Sequence, residues 1–229
     1  MCFSASASFT VSAILIPTGI YCVSEARKRD ERYFPIANLP LFFGIQQAFE
    51  GLVWLNIISE NTIAISNFAL CFLFFSHFFW LFWVPYSAFS LEENFWLKNI
   101  LKVFTITGFI YGSLLYFPLL LHENWLQIEV VNHSIHYMTY YFFNSMTPHN
   151  FSFYFYALIM ILPLIISSYK TINFLGILIT LGGLISYFYF HYGFTSVWCF
   201  MAALVSIYLA YIIRSIPNVD SSQVDSSQI

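Results

Sequence analysis

Charged residues are scarce in this sequence. Only 8% of its 229 residues are charged, against about a quarter in a soluble globular domain. Its 8 basic and 11 acidic residues give a formal net charge of −3, which argues against a nucleic-acid partner. Hydrophobic residues make up 59% of the chain. The composition therefore predicts an integral membrane protein whose main partner is the lipid bilayer.

Several patterns that carry chemistry are also missing. The four cysteines are scattered and do not form a disulfide framework. The sequence has no Walker loop, dinucleotide fingerprint or nucleophile elbow. It has no lysine in its last apolar segment to hold retinal, and it lacks the His-x-x-x-His pair of the seven-span lipid amidohydrolases. These absences argue against nucleotide binding, nucleophile-elbow hydrolysis, retinal binding and metal-dependent lipid hydrolysis of the amidohydrolase type.

Long apolar segments are abundant, and their lengths suit a bilayer. We predict an all-α bundle of seven transmembrane helices over residues 1–214, followed by a disordered cytoplasmic tail over residues 215–229. The predicted spans are Phe3 to Val23, Phe34 to Ile58, Ile63 to Phe89, Ile100 to Leu121, Phe151 to Ser168, Thr171 to Tyr192 and Phe194 to Ile213.

Local signals refine this layout. Pro40 is expected to kink the second span, and Gly108 and Gly112 are expected to allow a close helix approach in the fourth. Residues 127–141 of the long loop alternate partly in polarity around Asn132 and His133. This pattern predicts a small β-hairpin lying on the bilayer surface.

The basic residues predict the orientation. All eight fall on one side of a seven-span chain: Arg27, Lys28, Arg29, Arg32, Lys98, Lys102, Lys170 and Arg214. Because cytoplasmic loops are enriched in Lys and Arg, we expect the N-terminus outside and the C-terminus in the cytoplasm.

The second span carries Glu50, the one acidic residue that we place at membrane depth. Because a carboxylate in hydrocarbon is costly, its helix face should turn towards other helices or water. Glu50 is therefore the candidate catalytic residue, as a proton carrier, metal ligand or general base. Alternatively, it is a protonated acid that only fixes helix packing. Helical spacing and depth predict a pocket lined by Gln46, Gln47, Trp54, His77 and Trp198.

Metal-binding side chains gather near the outer surface. The candidate ligands are Cys2, His136, His191 and Cys199, a set suited to zinc, copper or iron. Cys2 and Cys199 belong to the first and seventh helices, which are often neighbours in a closed bundle. Their thiols could meet as a disulfide or as two metal ligands. The alternative is that the cysteines are packed hydrophobes and the histidines are surface residues.

Five motifs resemble an uncharacterised family of mostly bacterial integral membrane proteins. They are Met1-Cys2-Phe3-Ser4-Ala5, Gln46-Gln47-x-x-Glu50-Gly51-x-x-Trp54, Trp83-Val84-Pro85, His136-Tyr137 and Ser196-Val197-Trp198-Cys199-Phe200-x-Ala202-Ala203. The resemblance covers nearly the whole chain up to Arg214. It implies a multi-span fold in a bacterial cytoplasmic membrane, and it supplies no catalytic residues.

Three functional hypotheses remain from the sequence. The first is a membrane enzyme or redox protein that binds a metal ion in an outward-facing polar pocket. The second is a carrier for protons, metal ions or a small solute that uses Glu50 and His77. The third is a structural or sensory subunit whose polar residues only specify packing.

Overall fold

The chain is mainly helical in a computed structural model that describes residues 4–131, 133–140 and 151–217. The helices are α1 (Ala5–Arg29), α2 (Phe34–Ala37), α3 (Leu39–Ile58), α4 (Thr62–Leu73), α5 (Trp80–Leu91), α6 (Phe95–Leu121), α7 (Phe151–Ile165), α8 (Lys170–Tyr189), α9 (Phe194–Ser206) and α10 (Tyr208–Arg214). Two antiparallel strands, β1 (Leu126–Val131) and β2 (Ser134–Thr139), follow α6.

Six helical segments are long and apolar enough to cross a membrane. They are Ala5–Arg29, Glu31–Ile58, Thr62–Leu91, Phe95–Leu121, Lys170–Tyr189 and Phe194–Arg214. The predicted fifth span corresponds to α7, which is apolar but has only 15 residues, below the usual length for crossing a bilayer. Every predicted span thus has a helical counterpart, and the count of seven stays a prediction.

Two of these segments contain breaks in α-helical geometry. The first break is at Asn38, between α2 and α3, where Pro40 occupies the first turn of α3 and needs no N–H partner. The kink expected at Pro40 stays a prediction. The second break was not predicted. Residues Phe74–Phe79 form a π-helical turn between α4 and α5. This turn contains His77, and such turns are frequent at functional sites.

Gly108 and Gly112 confirm the predicted close approach. An added Cβ at Gly108 would lie 1.9 Å from the carbonyl oxygen of Leu81. At Gly112 it would lie 3.0 Å from the backbone of Phe78 in the π-helical turn. The two glycines therefore bring the backbone of α6 directly against α5 and the π turn.

The bundle closes on itself. Helix α1 packs against α3, α9 and α10, and α3 packs against α4 and α9. The expectation that the first and seventh segments are neighbours is therefore confirmed. Cys2 lies outside the described residues, so its pairing with Cys199 stays a prediction.

Arg29, Arg32 and the end of α10 lie together at one end of the bundle, which we call the basic end. Arg29 donates from Nη1 to the carbonyl oxygens of Ile216 (2.6 Å) and Arg214 (3.3 Å). Arg32 forms an ion pair with Glu93 in the loop between α5 and α6. These contacts join the first loop, the loop between α5 and α6, and the end of α10. The remainder of the predicted tail, from residue 218, lies outside the described residues.

Orientation can be tested at two positions on opposite ends of the bundle. Reporter fusions after Arg32 and after Asn124 should lie on opposite sides of the membrane, with the Arg32 fusion in the cytoplasm. Finding both reporters on one side would reject the predicted topology.

A buried carboxylate also stabilises the basic end. Glu92 is 1% exposed and accepts four hydrogen bonds. Ser168 donates from its hydroxyl (2.7 Å) and its backbone N–H (2.9 Å), and the backbone N–H groups of Glu93 (3.2 Å) and Asn94 (3.0 Å) complete the set. Burial raises the pKa of Glu92, but these donors outweigh it and hold the pKa below its usual value.

Glu92 should therefore make stability depend on pH. Its folded pKa lies below the unfolded one, so its contribution is present above pH 4.5 and is lost as the pH falls through the folded pKa. We expect Glu92→Gln to destabilise the protein by about 2 kcal/mol at pH 7, because the amide nitrogen that replaces one carboxylate oxygen cannot accept from the N–H groups that face it. Thermal midpoints in detergent from pH 7 to pH 3 test this, since the gap from wild type should narrow in acid. Glu60→Gln, at an exposed turn, is the matched control, and an equal loss there would contradict the assignment.

The predicted β-hairpin is confirmed, but it packs on the bundle. Strand register pairs Val131 with Ser134, and His133 occupies the turn with φ 59°. Ile135 is completely buried and Tyr137 is 7% exposed. Strand β2 contacts α9, so the hairpin covers the bundle at the end opposite the basic end.

Candidate binding site beneath the hairpin

The predicted polar face of the second span is buried. Gln46 and Gln47 have no exposed surface, Glu50 is 1% exposed and Trp54 is 8% exposed. The α3 helix turns this face towards α4 and α9, as the cost of a carboxylate in hydrocarbon requires. We call Gln46, Gln47, Glu50 and Trp54 the polar face.

Glu50 accepts hydrogen bonds at both carboxyl oxygens. Gln47 donates from Nε2 to Oε2 at 3.1 Å, and the Ser196 hydroxyl of α9 donates to Oε1. The ion pairs found in the described part of the chain all lie at the basic end. None of them involves a residue of α3. Neutral donors therefore stabilise Glu50 here.

Gln46 connects three helices at the neighbouring position. Its Oε1 accepts from the indole N–H of Trp80 at 2.8 Å. Its Nε2 lies 3.4 Å from Sγ of Cys199 and 3.5 Å from the carbonyl oxygen of Phe72. Gln46 thus has a full set of partners and fixes α3 against α4, α5 and α9.

Three buried polar atoms nearby have no hydrogen-bond partner within the described residues. They are Oε1 of Gln47, Nε1 of Trp54 and the hydroxyl of Tyr137. Buried groups of this kind are rare, because each costs about 1–3 kcal/mol when unpaired. We call them the three unpaired atoms.

The hairpin places the Tyr137 hydroxyl near the polar face. The Tyr137 ring stacks on Phe72 with centroids 5.0 Å apart, and the carbonyl of Phe72 faces Gln46. Burial raises the pKa of Tyr137 well above its usual value, and Glu50 and Cys199 raise it further electrostatically. Tyr137 and Trp54 also belong to one cluster of buried side chains, so the hairpin packs beside the Trp54 end of the polar face.

Two of the predicted pocket residues have their own partners elsewhere. Trp198 donates from Nε1 to the carbonyl oxygen of Ile179 at 3.1 Å and packs over Gly183 on α8. His77 lies in the π turn, where its Nδ1 is 2.9 Å from the Ser76 hydroxyl. Trp198 therefore packs between α9 and α8, and His77 belongs to the contact with α6.

The predicted metal ligands do not form a cluster in the described residues. No group of three His, Cys, Asp or Glu side chains suited to a metal occurs in these ranges. His136 and His191 both lie against Tyr192, with ring centroids 5.9 Å away in each case. Cys199 is buried and faces Gln46. Metal binding through Cys2, His136, His191 and Cys199 is thus unsupported here, and Cys2 itself lies outside the described residues.

The comparisons with known proteins bear on the whole chain. A family model described as "Family of unknown function (DUF6629)" matches residues 1–223. The chain belongs to this family. The match extends past Arg214, where the resemblance was expected to end, and it brings no activity to transfer. No curated protein and no solved structure matches the chain.

Sequence reasoning missed three participants in this site: Ser196, Tyr137 and Trp80. Ser196 lies three residues before Cys199, so the helical period places both on one face of α9. Tyr137 faces the bundle while its neighbour His136 does not, because successive strand residues point to opposite faces. His136 is a common metal ligand and Tyr137 is not, so the pattern of metal-binding residue types pointed to the histidine.

Proposed function

We propose that this protein is a polytopic membrane protein that binds a small polar ligand between the polar face of α3 and the hairpin. The observation that supports this best is the set of three unpaired atoms. Two lie on one face of α3, seven residues apart, and the third comes from the hairpin that covers this face. A ligand that pairs with all three would remove a cost of about 3–9 kcal/mol.

The chemistry of these atoms limits the ligand. Gln47 Oε1 needs a donor, Trp54 Nε1 needs an acceptor, and the Tyr137 hydroxyl can serve as either. The ligand should therefore carry both an N–H or O–H group and an oxygen or nitrogen acceptor. Glu50 lies beside Gln47 and can exchange a proton with a basic group on such a ligand.

The three hypotheses from the sequence each relate differently to the polar face and the three unpaired atoms. A carrier would use this site for its solute, with Glu50 as the titrating group and His77 acting separately in the π turn. No three candidate metal ligands cluster within the described ranges, and elemental analysis of the detergent-purified protein tests metal binding directly. A purely structural subunit leaves the three unpaired atoms without an explanation other than water.

Release of bound compounds from the purified protein tests the proposal. Denatured wild-type protein should release one small polar compound in stoichiometric amount, detected by mass spectrometry. The double variant Trp54→Phe/Tyr137→Phe should release about tenfold less, since it removes two hydrogen bonds of about 0.5–1.5 kcal/mol each.

The control is Tyr140→Phe, which changes an exposed tyrosine at the end of the same hairpin and should keep the compound. Thermal midpoints give a second measurement. If the Tyr137 hydroxyl has no partner, Tyr137→Phe alone should stabilise the protein or leave it unchanged, because phenylalanine keeps the shape of the ring. Trp54→Phe alone is unsuited to this comparison, because the smaller ring leaves a cavity in the interior. An unchanged or higher midpoint for Tyr137→Phe, together with no compound from wild type, would reject ligand binding.

A further inference from the structure

A groove lies on the lipid-facing side of α1 and α3, near the basic end. Its volume is about 430 Å³, and it is lined by Ile20, Val23, Ser24, Arg27, Lys28 and Leu41. Gly19 allows the two helices to touch here, because an added Cβ would lie 2.3 Å from the backbone nitrogen of Leu41. We call this feature the α1–α3 groove.

The lining of the groove changes from apolar to basic along α1. Ile20, Val23 and Leu41 form the wall, and Ser24, Arg27 and Lys28 form the rim at the helix end. Positions 20, 23, 24, 27 and 28 follow the spacing of one helix face, so the rim residues continue the wall. The α1 helix ends at Arg29, so the rim lies where a membrane helix meets the headgroup region.

The rim has excess positive charge. Two cations of the rim, Arg27 and Lys28, stand against one neighbouring anion, Glu25, which leaves a charge of +1. Glu25 is shared by Lys28 (3.2 Å) and Arg29 (3.1 Å). The helix C-terminus adds only about half a negative charge, so the rim stays cationic.

Arg27 is the cation best placed for a ligand. Its guanidinium lies 4.8 Å from the Phe34 ring centroid, and it pairs with no carboxylate in the described part of the chain. The contact with Phe34 positions the charged group and leaves its N–H donors available. An Arg guanidinium matches the geometry of a phosphate oxygen pair.

We propose that the α1–α3 groove is a specific site for an anionic phospholipid, with its phosphate at Arg27, Lys28 and Ser24 and an acyl chain along Ile20, Val23 and Leu41. Apolar wall and cationic rim together match an amphipathic anion better than a soluble phosphate, which would leave the wall without a partner. Basic pockets between membrane helices bind anionic lipid headgroups in this manner. This inference does not depend on the ligand site beneath the hairpin.

Native mass spectrometry of the full chain in detergent tests the proposal, with phosphatidylglycerol and phosphatidylcholine as probes. Wild type should retain one phosphatidylglycerol in preference to phosphatidylcholine. Arg27→Gln/Lys28→Gln should weaken phosphatidylglycerol binding about tenfold or more, since both cations face the headgroup. Glycerol phosphate alone, up to a hundredfold excess, should not displace the lipid.

A matched control changes two other cations at the same end of the bundle. Lys98→Gln/Lys102→Gln removes the same charge from α6, where Lys98 lies over the Phe89 ring at 5.4 Å. This variant should bind phosphatidylglycerol as wild type does. An equal loss in both variants would show diffuse attraction, and displacement by glycerol phosphate would show a soluble-anion site. Either outcome, or no preference between the two lipids, would overturn the proposal. Circular dichroism confirms that both variants are folded.

Discussion

Replacing Glu50 with leucine should remove a large part of the protein's stability, whereas glutamine should be far better tolerated. Leucine would leave the Ser196 hydroxyl and the Gln47 amide nitrogen without a partner in the interior. Each such group costs about 1–3 kcal/mol, so the expected loss is about 2–6 kcal/mol. Many domains have only about 5–15 kcal/mol of stability in total. Glutamine can still accept from one donor and can donate to the hydroxyl oxygen of the other.

Thermal midpoints in detergent measure this difference. Glu31→Leu, at an exposed position of the first loop, provides the control for adding an apolar side chain. Ser196→Ala provides a second check, because it removes one of the two groups that leucine leaves unpaired. The double variant Glu50→Leu/Ser196→Ala should therefore be about 1–3 kcal/mol more stable than Glu50→Leu alone. Equal midpoints for the leucine and glutamine variants would show that these hydrogen bonds contribute little.

The polar face of α3 could be predicted because its rule is local. Helical spacing places Gln47, Glu50 and Trp54 on one side, and the cost of a carboxylate in lipid turns that side inward. The structure confirms that these side chains are buried. The partner Ser196 could not be predicted, because 146 residues separate it from Glu50 and helix contacts at that range are not encoded locally.

The hairpin could likewise be predicted only in part. Alternating polarity and the turn at His133 predicted its existence, whereas its packing against Phe72 and α9 depends on tertiary contacts. For this reason the sequence placed the hairpin on the bilayer surface. Its packing beside Trp54 and Phe72 is what brings Tyr137 to the proposed site.

Glu92 and the π turn had no clear signal in the sequence. Glu92 lies in what looks like an ordinary polar loop, and its burial depends on the distant Ser168. The π turn at Phe74–Phe79 lies within a long, mostly apolar segment. The sequence pattern does not distinguish it from the α-helix on either side, because both conformations suit the same apolar residues. Both features depend on how neighbouring helices approach.

The close approach of α6 to α5 predicts a large loss of stability on substitution of Gly108. Gly108→Ala would place its Cβ 1.9 Å from the carbonyl oxygen of Leu81, far inside van der Waals contact. The contact is with backbone, so a side-chain rotation cannot relieve it, and α5 and α6 must separate. We expect a loss of about 3 kcal/mol or more, above the usual 1–3 kcal/mol for an overpacked core. The higher helix propensity of alanine would offset only about 1 kcal/mol of it.

Gly182 provides the matched control on α8. An added Cβ there would meet only Cβ of Met201, at 3.2 Å, so Gly182→Ala should be nearly neutral or slightly stabilising. Fluorescence-detected size-exclusion chromatography after heating gives the midpoint of each variant. Gly112→Ala should fall between them, because its nearest backbone atoms lie at 3.0 Å. From the most to the least stable, the expected order is thus Gly182→Ala, Gly112→Ala, Gly108→Ala. A Gly108→Ala protein as stable as Gly182→Ala would mean that α6 does not pack this closely against α5, and the position of the π turn against α6 would then have to be revised.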